Sequence, residues 1–177
     1  MPKGASSGSG TFALKVDGKP RNCRLTVRSG AGGEQLAVQI EAPAITFKKL
    51  TDLGMTEPLA NRMADLLAVE RGLILLSSPA GSGLSMTFDL VVESADRLLR
   101  DFVSIEDAAR PPREIQNVKP FQFDARTGVK PLDALGQAMR EYPRAIVTRD
   151  VRDKDLVTEI VRLAGDSQFV ILSLKAS

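Results

Sequence analysis

The sequence predicts an α/β fold: a mostly parallel sheet preceded by a small antiparallel β segment. Three observations lead there. From residue 56 onward, short apolar runs alternate with stretches of helical period, the order expected of strands joined by crossover helices. Residues 71–85 pass from the apolar run Leu73-Ile74-Leu75-Leu76 through a glycine turn into a helix start. Residues 11–40 instead alternate in twos and carry hairpin signals. A chain of 177 residues holds one good core and at most a small extra piece.

In chain order, residues 1–10 are rich in glycine and serine and lack the apolar core of a signal peptide, so they read as a flexible linker or tag. Phe12, Leu14 and Val16 face one way along a first strand, and Asp17-Gly18 turns the chain. A second strand falls near 23–27, a loop at 29–33 and a third strand at 36–40. This thin antiparallel segment is placed at 11–42. Pro43 opens a connector into the larger domain, placed at 43–177. Thr56 is a cap, with Glu57 and Pro58 in the first turn of a helix whose Leu59, Met63, Leu66 and Leu67 share a face. A buried strand follows at 72–77. Past the glycine turn, Phe88, Val91, Val92, Ala95, Leu98 and Leu99 mark one helix face. A strand at 102–105 ends in Glu106-Asp107, and 115–119 reads as another. Helical period returns over 132–142 and stops before Pro143. The strand 145–148 precedes a helix capped by Asp153, with Leu156, Val157, Ile160, Val161 and Leu163 on its apolar face and Gly165 past its end. A last strand covers 169–174. Right-handed crossovers put the loops after these strands on one edge, so the glycine turn, Glu106-Asp107 and Asp150 converge on one crevice.

Composition narrows the chemistry. Charged residues are 26% and apolar residues 43%, ordinary for a globular domain, and the net charge is +2. Lysine and arginine are scattered, so no basic stripe marks a nucleic-acid partner. The absence of histidine removes imidazole acid–base chemistry, and a single cysteine, Cys23, allows neither an internal disulfide nor a cysteine zinc site. Cys23 reads as an inert buried thiol. The longest apolar run is too short to cross a bilayer.

The glycine turn carries the sharpest signal. A phosphate-binding loop, G-x-x-x-x-G-K-[ST], surrounds an anion with backbone N–H groups, adds a lysine for the β- and γ-phosphates and sets a hydroxyl for magnesium. Residues 78–85 keep that layout, with Ser78 at the first glycine, Gly83 and Ser85 in place, and Leu84 where the lysine belongs. The N–H groups of 82–85 and the helix N-terminus still favour phosphate. Leucine donates nothing, so charge-assisted bonds worth about 1.5–3 kcal/mol each are lost. A turn that is structural or binds anions weakly is the first reading, and competent nucleotide binding the second.

In their order and spacing, these pieces resemble the secretion-superfamily ATPases that power type II secretion and type IV pilus assembly. That family's loop reads G-P-T-G-S-G-K-S-T, and residues 78–86 read S-P-A-G-S-G-L-S-M. Its aspartate box, I-E-D-P, is matched by Ile105-Glu106-Asp107-Ala108. Its Walker B region, D-P-D-V-I-M-V-G-E-I-R-D, is similar to residues 142–153, Y-P-R-A-I-V-T-R-D-V-R-D. Its histidine box, G-H-L-V-L-S-T-L-H-T, falls on 167–176. The hairpin region resembles the end of the family's N-terminal domain, with Arg24 at the R-V-S segment and Gly33-Glu34 before the third strand. The resemblance covers 11–177 and implies a RecA-like P-loop core, ATP and magnesium as ligands, a hexameric parent motor and a cytoplasmic location at the inner membrane. Other assembly proteins or its own protomers are the implied partners, without nucleic acid or membrane insertion. By the same resemblance, Gly81, Ser82, Gly83, Leu84, Ser85 and Met86 surround the nucleotide, and Ser85 and Asp150 hold magnesium. Glu106 positions water or metal, Asp150 stands at the Walker B glutamate, and Arg24 reaches toward a neighbour's nucleotide.

The departures concentrate at chemical positions. Besides Leu84, the glutamate is the shorter Asp150, the glycine before it is Arg149, and the two histidines are Gln168 and Lys175. This pattern predicts retained architecture without turnover: a structural or regulatory relative, in an excised domain or shortened chain. Two alternatives stand beside it, a slow ATPase in which Lys175 or Lys130 replaces the missing cation, and a nucleotide-sensing module. More ordinary roles are also open. Glu106-Asp107 reads equally as an acidic pair near Arg110 and Arg113, Asp150 as a surface ion pair with Arg149 and Arg152, and Arg21 and Arg28 as a solvated strand face.

Overall fold

The computed structural model describes residues 7–16, 18–30, 33–40 and 47–176. Contacts divide the chain into two units, Met1–Thr46 and Phe47–Ser177. The first holds β1 (Ser7–Val16), β2 (Lys19–Gly30) and β3 (Gly33–Ile40) in an antiparallel sheet of order β1-β2-β3. Its central strand buries Cys23, whose register partners are Phe12 and Ile40. The strands run longer than their patterns suggest. Residues 7–10, read as linker, pair with β2, and Ser29, Gly30 and Gly33, read as loop, continue the β2–β3 ladder. Backbone pairing extends where side-chain alternation fades into glycine and serine, which give the pattern nothing to register. Asp17 and Pro43 lie outside the described residues.

The second unit is a parallel sheet between two helical layers. A 3-10 turn at Leu50–Leu53 is closed by the Asp52 carboxylate, which accepts the N–H groups of Lys48 and Lys49. Then follow α1 (Glu57–Leu67), β4 (Gly72–Pro79), α2 (Leu84–Ser94), β5 (Phe102–Asp107), β6 (Val118–Phe123), α3 (Pro131–Met139), β7 (Ala145–Thr148), α4 (Lys154–Asp166) and β8 (Phe169–Ala176). The order is β4-β8-β7-β5-β6, with every pairing parallel. Alternate residues of β5, β7 and β8 feed opposite cores. Phe102, Val147, Phe169 and Ile171 join Leu67, Phe88, Val91 and Val92 of α1 and α2. Val103, Ile146, Val170 and Leu172 join Leu135 of α3 and Leu156 and Ile160 of α4. Burying a Leu, Val or Phe side chain contributes about 1.5–3 kcal/mol, so these two layers hold the sheet.

Several boundaries differ from the sequence reading. The strand 145–148 and the Asp153 cap are as expected, with Asp153 Oδ1 accepting the Leu156 N–H at 2.8 Å. Thr56 sits at the α1 N-cap, but its hydroxyl makes no capping bond. β4, expected to be buried, is an edge strand: Ile74 and Leu76 pack inward while Leu73 and Leu75 are exposed. A run of four apolar residues does not distinguish one-sided from two-sided burial. α2 stops at Ser94, and Leu98 and Leu99, placed on its face, are 84% and 85% exposed. There Arg97 donates to the Glu93 and Gln116 carbonyls and Asp96 accepts the Leu99 N–H, which fixes a turn. β6 begins three residues later than expected and tolerates Pro120 because it too is an edge strand. α3 ends at Met139, three residues early, before Tyr142 takes a left-handed φ of 52°. Gly165 lies inside α4, not past it.

Candidate functional site

The β4–α2 turn depends on glycine twice. Gly81 and Gly83 have φ of 82° and 85°, a region where an L side chain is strained. Ser82 Oγ donates to the Pro79 carbonyl at 2.6 Å and lies 2.8 Å from Ser78 Oγ, so the loop is braced by its own hydroxyls. Ser78 is not among the positive-φ residues, so the position of the first motif glycine accepts a side chain. Gly83 is the N-cap of α2, and half-buried Leu84 is its first residue. A cavity of about 440 Å³ over the turn is lined by Gly81, Gly83, Leu84, Ser85, Met86 and Lys175, among others.

A second cavity of about 530 Å³ shares Ser85, Asp89, Arg113 and Lys175 with the first. Ile105, Phe123 and Leu156 give it apolar walls, and its rim carries five carboxylates and five cations. Those charges are matched. Arg149, at the end of β7, sends Nε and Nη2 to Asp89 Oδ1 of α2 at 3.1 and 2.6 Å and sets Nη1 3.9 Å from Glu106 Oε1 of β5. Its guanidinium carbon stands 5.0 Å from the centroid of the Phe88 ring. Asp150 Oδ2 accepts from Lys175 Nζ at 2.9 Å and from Arg152 Nη2 at 3.1 Å. Arg110 lies 3.6 Å from Asp107, and Arg113 is 2.6 Å from Glu93. Asp153 is engaged as a cap.

Thus Ser85, Glu106 and Asp150 line one cavity at the carboxyl ends of the strands, Gly81, Gly83, Leu84 and Met86 line the adjoining one, and Ser82 lines neither. The structure pairs Asp150 with Arg152 as expected but with Lys175 rather than Arg149. Lys175 arrives there because the parallel β4–β8 register sets it opposite Ser78. Lys130 lies before α3, its N–H donated to Asp133, and lines neither cavity. Arg24 lies in β2 of the first unit, opposite Thr11 and Gln39. Sequence reasoning missed Asp89, whose only signal was a carboxylate beside Phe88 on an otherwise apolar stretch of α2.

Asp150 adopts a φ of 47°, a left-handed strain that aspartate tolerates better than most residues. Its N–H donates to Ser173 Oγ at 3.1 Å. The hydrogen bond from Lys175 is the largest influence and, with help from Arg152, holds its carboxyl below the ordinary value of 3.8 against an opposing push from burial. A depressed folded value means the pair stabilises the fold above the unfolded value and is lost as pH falls through the folded one. Lys175→Met should therefore unfold more readily than wild type near neutrality. The difference between the two should shrink as pH falls through the depressed value of Asp150, in thermal unfolding across pH.

The resemblance implies magnesium, and the carboxylates that would serve it are already paired with cations. Among the described residues, no group of three or more acidic, histidine or cysteine side chains is placed to hold a metal. Glu106 and Asp150 each already face a cation.

A five-stranded parallel sheet with a glycine turn between β4 and α2, and strand ends meeting over that turn, defines a RecA-like P-loop α/β domain. The family described as type II/IV secretion system protein matches residues 8–168, and the chain belongs to it. Type II secretion system protein E of Klebsiella pneumoniae is 24% identical over 165 residues, covering 93% of this chain and 33% of that protein. Type IV pilus assembly ATPase TfpB of Acinetobacter baylyi is 25% identical, covering 89% of this chain and 26% of that protein. The chain thus spans about a third or less of these relatives. Among solved structures, the ADP-bound pilus retraction motor PilT is 25% identical with a TM-score of 0.57, covering 96% of this chain and 48% of that one. The Legionella pneumophila ATPase DotB, 15% identical with a TM-score of 0.63 over 97% of this chain and 48% of that one, shares the fold. Among the described residues, no helix is long and apolar enough to cross a membrane.

Proposed function

We propose that this domain is a non-hydrolysing member of the secretion and pilus-assembly ATPases. It serves a structural or regulatory role, contributing shape and interfaces to an assembly on the cytoplasmic side of a membrane. Its partners are other assembly proteins or further copies of the chain. ATP binds weakly or not at all through Gly81, Ser82, Gly83, Leu84, Ser85 and Met86, and Glu106 and Asp150 are relics of catalytic positions. One observation carries the reading: the loop cation is a leucine, while Asp150 is already bonded to Lys175 and Arg152. Losing one transition-state donor costs about two to three orders of magnitude in rate. Steady-state phosphate release by the purified chain should therefore be at background. Turnover within about tenfold of an intact relative, a smaller loss than that two- to three-order cost, overturns the proposal.

A second reading, a slow ATPase using Lys175 as the missing cation, is favoured by the place of Lys175 on the walls of both cavities. If any turnover is seen, Lys175→Met abolishes it under that reading and leaves it unchanged otherwise.

A further inference from the structure

We infer that the cation of this cleft is built into the chain. Arg149 is the internal counter-ion of Asp89 and Glu106, a positioning residue that ties β7, α2 and β5 together and keeps divalent metal out. The inference rests on the cleft being the family's ligand site, but not on whether the domain hydrolyses ATP.

Cations compete for the carboxylates of this cleft. Asp89, Glu106 and Arg149 side chains are 14%, 16% and 18% exposed, so the three charges meet largely out of water. Arg149 gives two hydrogen bonds to Asp89, stands 3.9 Å from Glu106 and is backed by the Phe88 ring. A planar guanidinium loses little freedom for each bond made, and it is tethered to the site. Magnesium sheds water reluctantly and binds through carboxylates. Here Asp89, the carboxylate lining the cavity over the loop, is bonded to Arg149, and Asp150 to Lys175 and Arg152. Without Arg149, two mostly buried carboxylates would lack a counter-charge, which is the condition that recruits a divalent cation.

Thermal unfolding of the chain in EDTA and in millimolar magnesium chloride tests this. Wild type should melt at the same temperature in both. Arg149→Met should melt about 5 °C lower in EDTA and recover at least half of that shift in magnesium. Arg149→Lys should fall between, with less response to magnesium. Adding Asp89→Asn to Arg149→Met should abolish the response, an effect that a purely packing role for Arg149 would not produce. Equilibrium dialysis of manganese against wild type, which needs no variant to fold, should find no saturable site. Bound manganese on wild type, a melting temperature of wild type that rises with magnesium, or a folded Arg149→Met indifferent to it overturns the inference. None of these readouts involves turnover, so the proposed function stands or falls separately.

Discussion

Leu84→Lys is expected to tighten ATP binding by about tenfold to a hundredfold over wild type, whose own calorimetric titration should give little or no heat. One charge-assisted bond to phosphate, at about 1.5–3 kcal/mol, sets that range. Opposing terms are smaller. Leu84 is only half-buried, so little packing is lost. A cation in the first turn of α2 opposes the helix dipole by about 0.3–1 kcal/mol. The variant should therefore melt slightly below wild type without ATP and above it with ATP. The gain should survive EDTA, because the carboxylates that would hold metal are paired to Arg149, Lys175 and Arg152. A folded Leu84→Lys that binds ATP no better than wild type would mean that the N–H groups of 82–85 do not form a phosphate seat. The loss of function would then extend beyond one side chain.

The parts of the fold legible in the sequence were those written in side-chain period. The helix over Leu156, Ile160 and Leu163 follows from its spacing because it buries those residues in one layer, and the strand 145–148 from a short apolar run buried on both faces. The glycine turn was legible because Gly81 and Gly83 need a backbone that other residues avoid. Leu98 and Leu99 misled for the converse reason: helical spacing continued after the Arg97 and Asp96 side chains had already closed a turn. At the site, single positions were readable and their pairings were not. Whether Asp150 meets Arg149 or Lys175 depends on the register of β8 against β4 and on the left-handed φ of Asp150. Neither is encoded by local composition. Asp89 was hidden because a carboxylate on a helix ordinarily faces water, and here α2 turns it toward the end of β7.

Phe88→Ala should be the most damaging single substitution at this boundary between core and cleft. Phe88 is fully buried, in the layer formed with Phe102, Val147 and Phe169. Truncating such a ring costs about 3–5 kcal/mol through lost transfer energy and the residual cavity. In a unit of this size that lowers the melting temperature by roughly 10–20 °C. The ring also backs the Arg149 guanidinium at 5.0 Å, a contact worth about 0.5–2 kcal/mol when partly desolvated. A double-mutant cycle of Phe88→Ala with Arg149→Met separates the two terms. A coupling near that contact's value is expected, with the remainder belonging to the core. A loss below about 1.5 kcal/mol for Phe88→Ala would contradict the burial. The asymmetry with Leu84 is physical. Residue 84 lies on a cavity wall where leucine costs the fold almost nothing, whereas residue 88, four positions along the same helix, carries both packing and the seat of the internal cation. The helix can thus carry leucine at position 84 and remain a sound architectural element.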